Sequence, residues 1–342
     1  MTNHNPPVHV VDSRTTARIP LNTLAVSFGL AGLAELWSTA STLFSIPPFI
    51  TELFWAAAAI AWLWLIAKHT AVGSRSPEPL SAQLRHPAQG PIAAVVPIVG
   101  MLLGANLFQF WQAAGEVLVV VSIAAATLFA GWLLSFWLSG QLKPESIHGA
   151  YFLPTVAAAL VAAATAADIG LPLLARGAFA VGLFFWVVIF TMLVARLAFL
   201  PALPAPLTPT LAIFLAPPAV AGNAWFAIAG RHADSISMSL LGVTVLMVLV
   251  QVALIPRYRN TPFSLGFWSF SFPVTSAAGF GIEWLSVGKP VGWQIEAGAI
   301  LLAVTVFILA IGIRSLLFVG MDRRGLKRAE QDLLKADALV ER

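Results

Sequence analysis

The chain has 342 residues, of which 59% are apolar and only 10% are charged. Ordinary soluble domains carry roughly 45–50% apolar and about 25% charged residues, and the mean hydropathy of +0.87 leaves no room for a sizeable soluble domain. The composition therefore predicts a polytopic membrane protein. The net charge of +4 does not indicate a nucleic-acid partner, because membrane topology accounts for its distribution.

No secretory signal peptide is evident, because residues 1–19 are polar and the first apolar stretch, about 21–44, is too long for a signal-peptide core. The chain contains no Cys, which excludes disulfides and thiol chemistry. We expect a cytoplasmic N-terminal segment at 1–19, a ten-helix transmembrane domain at 20–320 and a cytoplasmic tail at 321–342. The tail is expected either as a short helix or as a solvated segment.

Ten apolar segments follow one another, each close to the 17–25 residues with which a helix crosses a bilayer. They are predicted near residues 21–44, 48–67, 91–110, 116–139, 149–168, 172–196, 207–229, 236–255, 263–286 and 292–320. With the N-terminus inside, only three of the 19 Lys and Arg residues fall on the outer side: Arg176, Arg231 and Lys289. Because positive residues hold loops in the cytoplasm during insertion, both termini are predicted to be cytoplasmic.

Odd-numbered segments carry Pro in their interior, or Gly in the case of the first, whereas even-numbered segments have Pro only at their entrance or not at all. The breakers are Gly29, Pro97, Pro154, Pro217 and Pro273. A transmembrane helix with an internal Pro loses a backbone hydrogen bond that lipid cannot replace, so such helices are expected inside the protein. The pattern predicts an all-α membrane protein whose ten transmembrane helices form five helical hairpins in a quasi-five-fold arrangement around a central pore. The alternative is that Pro and Gly are simply more frequent in transmembrane helices.

If this repeat holds, the residue just before each breaker lies at a similar height around the axis. These residues form an apolar layer of Phe28, Val96, Leu153, Ala216 and Phe272. Apolar constrictions can gate by dewetting, and a ring can plug a narrow pore. The alternative is that the two Phe rings merely pack into the kinks.

Coupled transporters usually carry acids, His or paired charges inside the membrane, whereas the odd segments here are nearly free of charge. Glu35, well inside the first segment, is the exception. It is either a proton or substrate site or an acid held by hydrogen bonds between helices, since the sequence shows no basic partner within the membrane.

Signals for an enzyme are weak or absent. The residues His69, His86, His148 and His232 fall in loops or at segment ends and show none of the His/Glu spacings of a metal site. The sequence also contains no P-loop. We therefore expect no catalytic residue, no metal and no cofactor.

Three segments resemble the TehA/slow-anion-channel family, which groups bacterial tellurite-resistance TehA proteins, fungal malate and sulfite transporters, and plant guard-cell anion channels. They are Phe152-Leu153-Pro154-Thr155-Val156-Ala157-Ala158, Leu211-Ala212-Ile213-Phe214-Leu215-Ala216-Pro217-Pro218 and Phe267-Trp268-Ser269-Phe270-Ser271-Phe272-Pro273. The similarity covers the whole membrane domain and is greatest to bacterial TehA.

The resemblance implies a homotrimer in a bacterial inner membrane, in which each subunit has its own pore lined by five inner helices. It also implies that a Phe in the ninth segment blocks the pore, and that gate maps onto Phe272. Pro273 follows the gate as in the plant channels, whereas bacterial TehA can have Gly there. The family's pores lack a charged binding site, so Glu35 is a departure.

Sequence and resemblance together predict an anion channel or transporter that passes halide, nitrate, oxyanions or C4-dicarboxylates when Phe272 moves aside. Nearby hydroxyl and amide groups are candidates for hydrogen bonds to a partly dehydrated ion; they are Ser27, Thr155, Asn223, Ser271, Thr275 and Ser276. The alternative function is a proton-coupled dicarboxylate or sulfite exporter that uses Glu35. Small anions and the lipid bilayer are the expected partners, and nucleic acid is not.

Overall fold

The computed structural model describes residues 18–340, with side chains described for residues 18–320, and within this range the regular structure is helical throughout. The α-helices are α1 Ala25–Phe44, α2 Pro48–Gly73, α3 Leu80–Arg85, α4 Val95–Phe108, α5 Gln112–Leu138, α6 Ala158–Asp168, α7 Pro172–Phe199, α8 Ala216–Ala229, α9 Ser235–Arg259, α10 Ser271–Gly288 and α11 Trp293–Val340. The predicted N-terminal segment at 1–19 lies almost wholly outside the described residues. Helix α11 continues through the predicted tail without a break at residue 320.

Within the described part of the chain, eight helical segments are long and apolar enough to cross a membrane, which makes the chain a multi-pass membrane protein. They are Pro48–Gly73, Gly90–Phe108, Gln112–Leu138, Gly149–Asp168, Pro172–Phe199, Ala205–Ala229, Ser235–Arg259 and Trp293–Gly320. Helices α1 and α10 are less apolar, because each carries a carboxylate, Glu35 or Glu283, among several Ser, Thr and Gly residues. The count of ten crossings therefore stays a prediction.

Burial divides the long helices into two groups. Between 50% and 83% of the residues are buried in the apolar windows of the segments that contain α4, α6 and α8, against 17–28% for α2, α5, α7, α9 and α11. The helices α1, α4, α6, α8 and α10 contact one another in a closed cycle, and we call them the inner helices. Each packs against the next long helix in the chain, and these partners are the outer helices. The segments with internal breakers are thus the more buried ones, as the proline pattern predicts.

Every inner helix begins as a 3₁₀-helix and then changes its hydrogen-bonding pattern. The 3₁₀ segments are Leu21–Leu24, Gly90–Ala94, Gly149–Phe152, Ala205–Leu215 and Leu265–Phe270, and a π-helical turn, Leu153–Ala157, follows the third of them. Such segments are usually short, since their hydrogen-bond geometry is poorer than that of an α-helix.

The prolines lie where the helix type changes. Pro97, Pro217 and Pro273 are the third, second and third residues of α4, α8 and α10. The N–H groups of a first helical turn lack a partner within the helix, so Pro costs little there. Pro154 is the second residue of the π-helical turn. Gly29, in contrast, is the fifth residue of an unbroken α1, so it marks no change of helix type.

Outer helix α9 begins with a capping box. Asp234 Oδ1 accepts a hydrogen bond from the Ser237 backbone N–H at 2.7 Å, and Ser237 Oγ accepts one from the Asp234 N–H at 2.9 Å. Asp234 Oδ2 also accepts from Trp225 Nε1 at 2.8 Å, which ties the start of α9 to α8. The donation from the Ser237 N–H is the main reason that the pKa of Asp234 lies below its ordinary value.

Candidate functional site

Phe28 of α1 and Phe272 of α10 form a stacked pair within the group of inner helices. Their ring centroids are 3.8 Å apart and their planes are 18° from parallel. Both side chains are buried, with exposed fractions of 6% and 5%. A glycine permits this approach, because a Cβ on Gly32, one turn after Phe28, would lie 2.9 Å from Phe272 Cδ2. The structure thus brings together the two aromatic residues of the predicted layer.

A cavity of about 50 Å³ borders this pair, and we call it the apolar cavity. Its walls come mainly from the first turns of the inner helices and are largely aliphatic and aromatic; they include Phe28, Val95, Phe152, Leu153, Ala216, Trp268 and Phe272. None of the described side chains that line it is charged. Four of the five residues of the predicted layer lie here.

The fifth predicted layer residue, Val96, faces elsewhere. Its carbonyl accepts a hydrogen bond from Trp62 Nε1 of α2 at 2.9 Å, and its side chain lines a separate cavity together with His69. Val95 lines the apolar cavity in its place. Successive helical residues point about 100° apart, so an offset of one position relative to Pro97 turns the side chain away.

A second cavity, of about 130 Å³, is lined by later turns of the inner helices, and we call it the polar cavity. Glu35, Asp168 and Glu283 line it, and so does Arg231, which follows α8. Phe272 lines both this cavity and the apolar one. Its ring therefore lies on the partition between the two.

The polar cavity contains an ion pair. Arg231 Nε lies 3.0 Å from Glu283 Oε1, with side chains 47% and 9% exposed. The other oxygen, Glu283 Oε2, is buried without a hydrogen-bond partner among the described residues. Glu35, although inside α1, is exposed because its side chain lines the cavity.

These charges correct two expectations from the sequence. The sequence predicts Glu35 as the one exception in otherwise nearly charge-free odd segments, but two more carboxylates lie in them: Asp168 ends α6 and Glu283 lies within α10. Glu35 also does not lack a basic neighbour, since Arg231 lines the same cavity. With three carboxylates and one guanidinium, the cavity offers partners for both a proton and an anion.

Three of the predicted polar residues line the polar cavity: Asn223, Thr275 and Ser276. Asn223 Nδ2 donates to the Ser276 carbonyl at 3.2 Å, while Asn223 Oδ1 is buried without a partner among the described residues. The Thr275 hydroxyl donates to its own helix, at the carbonyls of Ser271 and Phe272, 3.1 and 3.0 Å away. Because its proton is used in these bonds, the Thr275 hydroxyl oxygen can only accept further hydrogen bonds.

The other three polar candidates line neither cavity. Ser27 donates to the Leu24 carbonyl at 2.8 Å, and Ser271 donates to the Trp268 carbonyl at 2.6 Å. Both hydroxyls therefore support the change from 3₁₀ to α-helix in their own segments. Thr155 lines a different cavity, between α5, α6 and α7.

The backbone that leads into Phe272 is held in place at two points. Ser264 caps the preceding 3₁₀ segment by accepting a hydrogen bond from the Gly266 N–H at 3.3 Å. Trp268 Nε1 donates to Ser315 Oγ of α11 at 2.9 Å. The start of the helix that carries Phe272 is therefore tied to α11.

A buried histidine lies just before the segment that leads into α6. His148 is fully buried, and its Nδ1 accepts from the Ala150 N–H at 3.4 Å. Burial lowers its pKa to about 4, since the charged imidazole cannot be solvated there. His148 is therefore neutral at pH 7 and acts as a cap.

Sequence reasoning missed Asp168, Arg231 and Glu283 as site residues, although one signal was present. Glu283 follows Phe272 by eleven residues, or about three helical turns. The residues at the intermediate helical spacings, Thr275, Ser276 and Gly279, line the same cavity. The spacing thus places Glu283 on the face of α10 that carries Phe272.

The fold and the site define a multi-pass helical membrane protein with the layout of a channel or transporter. Its inner helices surround two cavities that meet at one aromatic ring. The chain belongs to the SLAC1 family of voltage-dependent anion channels, whose family model matches residues 18–320.

Individual relatives agree with this assignment. The chain is 25% identical over 272 residues to a tellurite resistance protein TehA homolog of Haemophilus influenzae, covering 79% of this chain and 83% of that protein. It is 25% identical over 276 residues to the guard cell S-type anion channel SLAC1 of Arabidopsis thaliana, covering 76% of this chain but 49% of that one. The plant S-type anion channel SLAH1 is 34% identical over 141 residues, covering 40% of this chain and 36% of that one. Relatives named as channels support the prediction that the chain is not an enzyme.

Proposed function

We propose that this chain conducts small anions across the membrane, through the apolar and polar cavities in series, with Phe272 as the gate. The observation that carries this proposal is that Phe272 lines both cavities and stacks on Phe28 between them. Membership of a family of anion channels supports an anion, and not a cation, as the permeant ion. The candidate ions are halides, nitrate, oxyanions and C4-dicarboxylates.

The proposal includes the whole architecture: ten crossings, as five helical hairpins in a quasi-five-fold arrangement around this path. The closed cycle of inner-helix contacts supports it, because α1 and α10 complete the cycle between α4 and α8. The distribution of Lys and Arg supports cytoplasmic termini, and the similarity to a bacterial TehA homolog supports a location in a bacterial inner membrane. Assembly as a homotrimer rests on the resemblance alone.

The apolar cavity suits an ion that sheds part of its water. A dry, narrow path without charged side chains favours weakly hydrated anions, and hydroxyl groups and helix dipoles replace some of the lost hydration. Separating the stacked pair costs about 0.5–1.5 kcal/mol beyond the loss of burial of the rings. We expect the Phe272 ring to swing aside while the anchored backbone of α10 stays in place.

The test is anion current through Phe272→Ala in planar bilayers, with chloride and nitrate as the ions. We expect a closed wild type, and a conducting variant whose reversal potential follows the anion gradient. Phe270→Ala is the matched control. Phe270 is also a buried aromatic residue and lies immediately before α10, but it lines neither cavity. Equal currents from both variants, or a cation-selective Phe272→Ala, would refute the gate.

A second candidate function is a proton-coupled dicarboxylate or sulfite exporter that uses Glu35. The observation that favours it is the clustering of Glu35, Asp168, Glu283 and Arg231 around one cavity. Intramembrane groups of this kind are typical of proton relays and coupled carriers. Flux driven by a pH gradient and abolished in Glu35→Gln would establish the exporter, whereas flux indifferent to Glu35→Gln would exclude it.

A further inference from the structure

An elongated groove runs along the outside of the protein between α9 and α11, and we call it the α9–α11 groove. Its volume is about 800 Å³, and α10 forms its floor. The lining is aliphatic and aromatic over most of its length, with Val252, Phe267 and Phe307 among the walls. Two arginines, Arg259 and Arg314, lie at one end.

The polar groups along the groove already have partners, with the exception of these arginines. Tyr258 Oη donates to Gln251 Oε1 at 2.7 Å, and Gln251 Nε2 donates to the Leu211 carbonyl at 3.1 Å. Arg259 and Arg314 are exposed, and neither forms an ion pair with any side chain in the described range. Arg314 lies over the Phe263 ring, 5.0 Å from its centroid, which fixes its position.

We propose that the α9–α11 groove binds one anionic phospholipid, with its phosphate between Arg259 and Arg314 and an acyl tail along α10. Guanidinium groups bind phosphate oxygens in a planar, bidentate way, and basic pockets between transmembrane helices are suited to anionic headgroups. The charge and the apolar lining thus fit the two parts of one molecule.

The length of the groove fits an acyl tail. It extends along α11 from Arg314 to Ile300, which corresponds to about 21 Å at 1.5 Å per residue. One leaflet of the hydrocarbon core is roughly 15 Å thick, half of the usual 30 Å. A tail anchored at the arginines therefore lies within the groove over its whole depth in the leaflet.

A second copy of this chain is the poorer occupant because of charge. Within residues 18–320, whose side chains the structure describes, the carboxylates of the outer helices are Glu52, Glu116 and Glu296, and all lie within the first five residues of α2, α5 and α11. Arg259 and Arg314 lie about twenty residues or more into their own helices. Within the range of described side chains, an outer face of another copy at that depth brings no carboxylate to the arginines, so contacts of the proposed trimer are expected elsewhere.

The position of the groove connects it to the proposed gate. Residues of α10 that line the groove are Val274, Ala277, Ala278 and Gly281. Residues of α10 that line the polar cavity are Phe272, Thr275, Ser276, Gly279 and Glu283. At about 100° per residue these two sets lie on opposite faces of the helix. A bound tail therefore contacts the back of the helix that carries Phe272.

The test is native mass spectrometry of the full chain in mild detergent with equal amounts of phosphatidylglycerol and phosphatidylcholine. Each arginine near a headgroup favours an anionic lipid about fivefold, so we expect phosphatidylglycerol to be retained roughly ten- to thirtyfold better. The double variant Arg259→Gln/Arg314→Gln is expected to retain both lipids about equally. Arg257→Gln is the matched control, because Arg257 is an exposed arginine at the end of α9 that does not line the groove.

A second variant tests the tail site without touching charge. A Cβ on Gly281 has no atom within 4 Å, and Gly281 lines the groove, so the side chain of Gly281→Leu is expected to extend into the groove. It is expected to reduce retention of both lipids without lowering thermal stability, since replacing Gly within a helix favours the helix. Equal retention of the two lipids by wild type, preference retained in the double variant, or equal loss in Arg257→Gln would each overturn the proposal. So would a change of oligomeric state in the double variant with its lipid preference intact.

Discussion

Gly32 lies on the face of α1 that packs against Phe272. Replacing it with Ala is the most direct perturbation of the stacked pair. A Cβ at this position would lie 2.5 Å from Thr275 Oγ1 and 2.9 Å from Phe272 Cδ2. Both distances are too short, so the Thr275 hydroxyl and the Phe272 ring must move. The Phe272 Cα is 3.5 Å away and therefore need not move. We expect the ring to shift off Phe28 while the helices keep their places.

The magnitude follows from two opposing effects. Overpacking a tight contact costs about 1–3 kcal/mol, while Gly→Ala within a helix gains about 1 kcal/mol. Gly32→Ala is therefore expected to be destabilised by about 0–2 kcal/mol. Gly279→Ala is the matched control in the same cavity, because its nearest neighbours, Asn223 Nδ2 and Leu36 Cδ1, are at an ordinary 3.9 Å. It is expected to gain about 1 kcal/mol.

Two assays distinguish the variants. Thermal unfolding in mild detergent should give a lower midpoint for Gly32→Ala than for Gly279→Ala, with wild type between them or near the former. Anion current should rise above the wild-type level in Gly32→Ala and stay at that level in Gly279→Ala. The reasoning is refuted if Gly32→Ala is as stable as Gly279→Ala and equally closed, since the close approach then has no consequence for either packing or the gate.

Three further predictions concern other parts of the fold. Burial lowers the pKa of His148 to about 4. The contribution of neutral His148 to stability is therefore present above its ordinary pKa near 6.5 and is lost as pH falls towards 4, by about 3 kcal/mol at most. The His148→Gln variant should show a flatter pH profile of thermal unfolding between these values, and an unchanged profile would contradict the prediction. Asp234→Ala removes the acceptor for the Ser237 N–H and should lower the unfolding midpoint, whereas Asp234→Asn keeps the cap; equal midpoints would show that the cap is unimportant. Gly115→Ala places a Cβ against the backbone of α4 and should be strongly destabilising, whereas at Gly131 nothing lies within 4 Å and the same change should raise the midpoint; a tolerated Gly115→Ala would contradict the tight α4–α5 turn.

The sequence predicts the parts of the site that depend on helix type and burial. The alternation of internal breakers identifies the more buried helices, and alignment on those breakers places Phe28 and Phe272 together. Both inferences depend on backbone hydrogen bonds that lipid cannot replace, a constraint that acts on each segment by itself.

The sequence does not predict which face of each segment turns inward. Val95 lines the apolar cavity in place of Val96, although α4 and α10 both begin two residues before their Pro and Phe272 does line that cavity. The position relative to Pro therefore does not determine which side chain turns inward. Ser27 and Ser271 are polar and buried, yet they bond their own helices. A hydroxyl next to a change of helix type satisfies a carbonyl that the helix leaves free, and this competes with lining a cavity.

The polar cavity illustrates a second limit. Arg231 belongs by sequence to an outer loop, and Glu283 lies 52 residues later in a different helix, yet they pair at 3.0 Å. No local pattern specifies such a contact, because it depends on how α8 and α10 meet in the cycle of inner helices. Glu35 and Asp168 join the same cavity for the same reason.

The contact between α1 and α10 closes the cycle of inner helices, and it has a consequence for biosynthesis. Gly32 and Thr275 are separated by 243 positions in the chain. At about 5–20 residues per second, α10 leaves the ribosome roughly 12–50 s after α1. During that interval α1, with Glu35 on it, is present in the membrane without one of its two inner neighbours. Helix α1, which is made first, thus forms its last inner contact only when nearly the whole protein has been synthesised. Truncated chains that end before α10 should therefore be the ones that quality-control proteases remove.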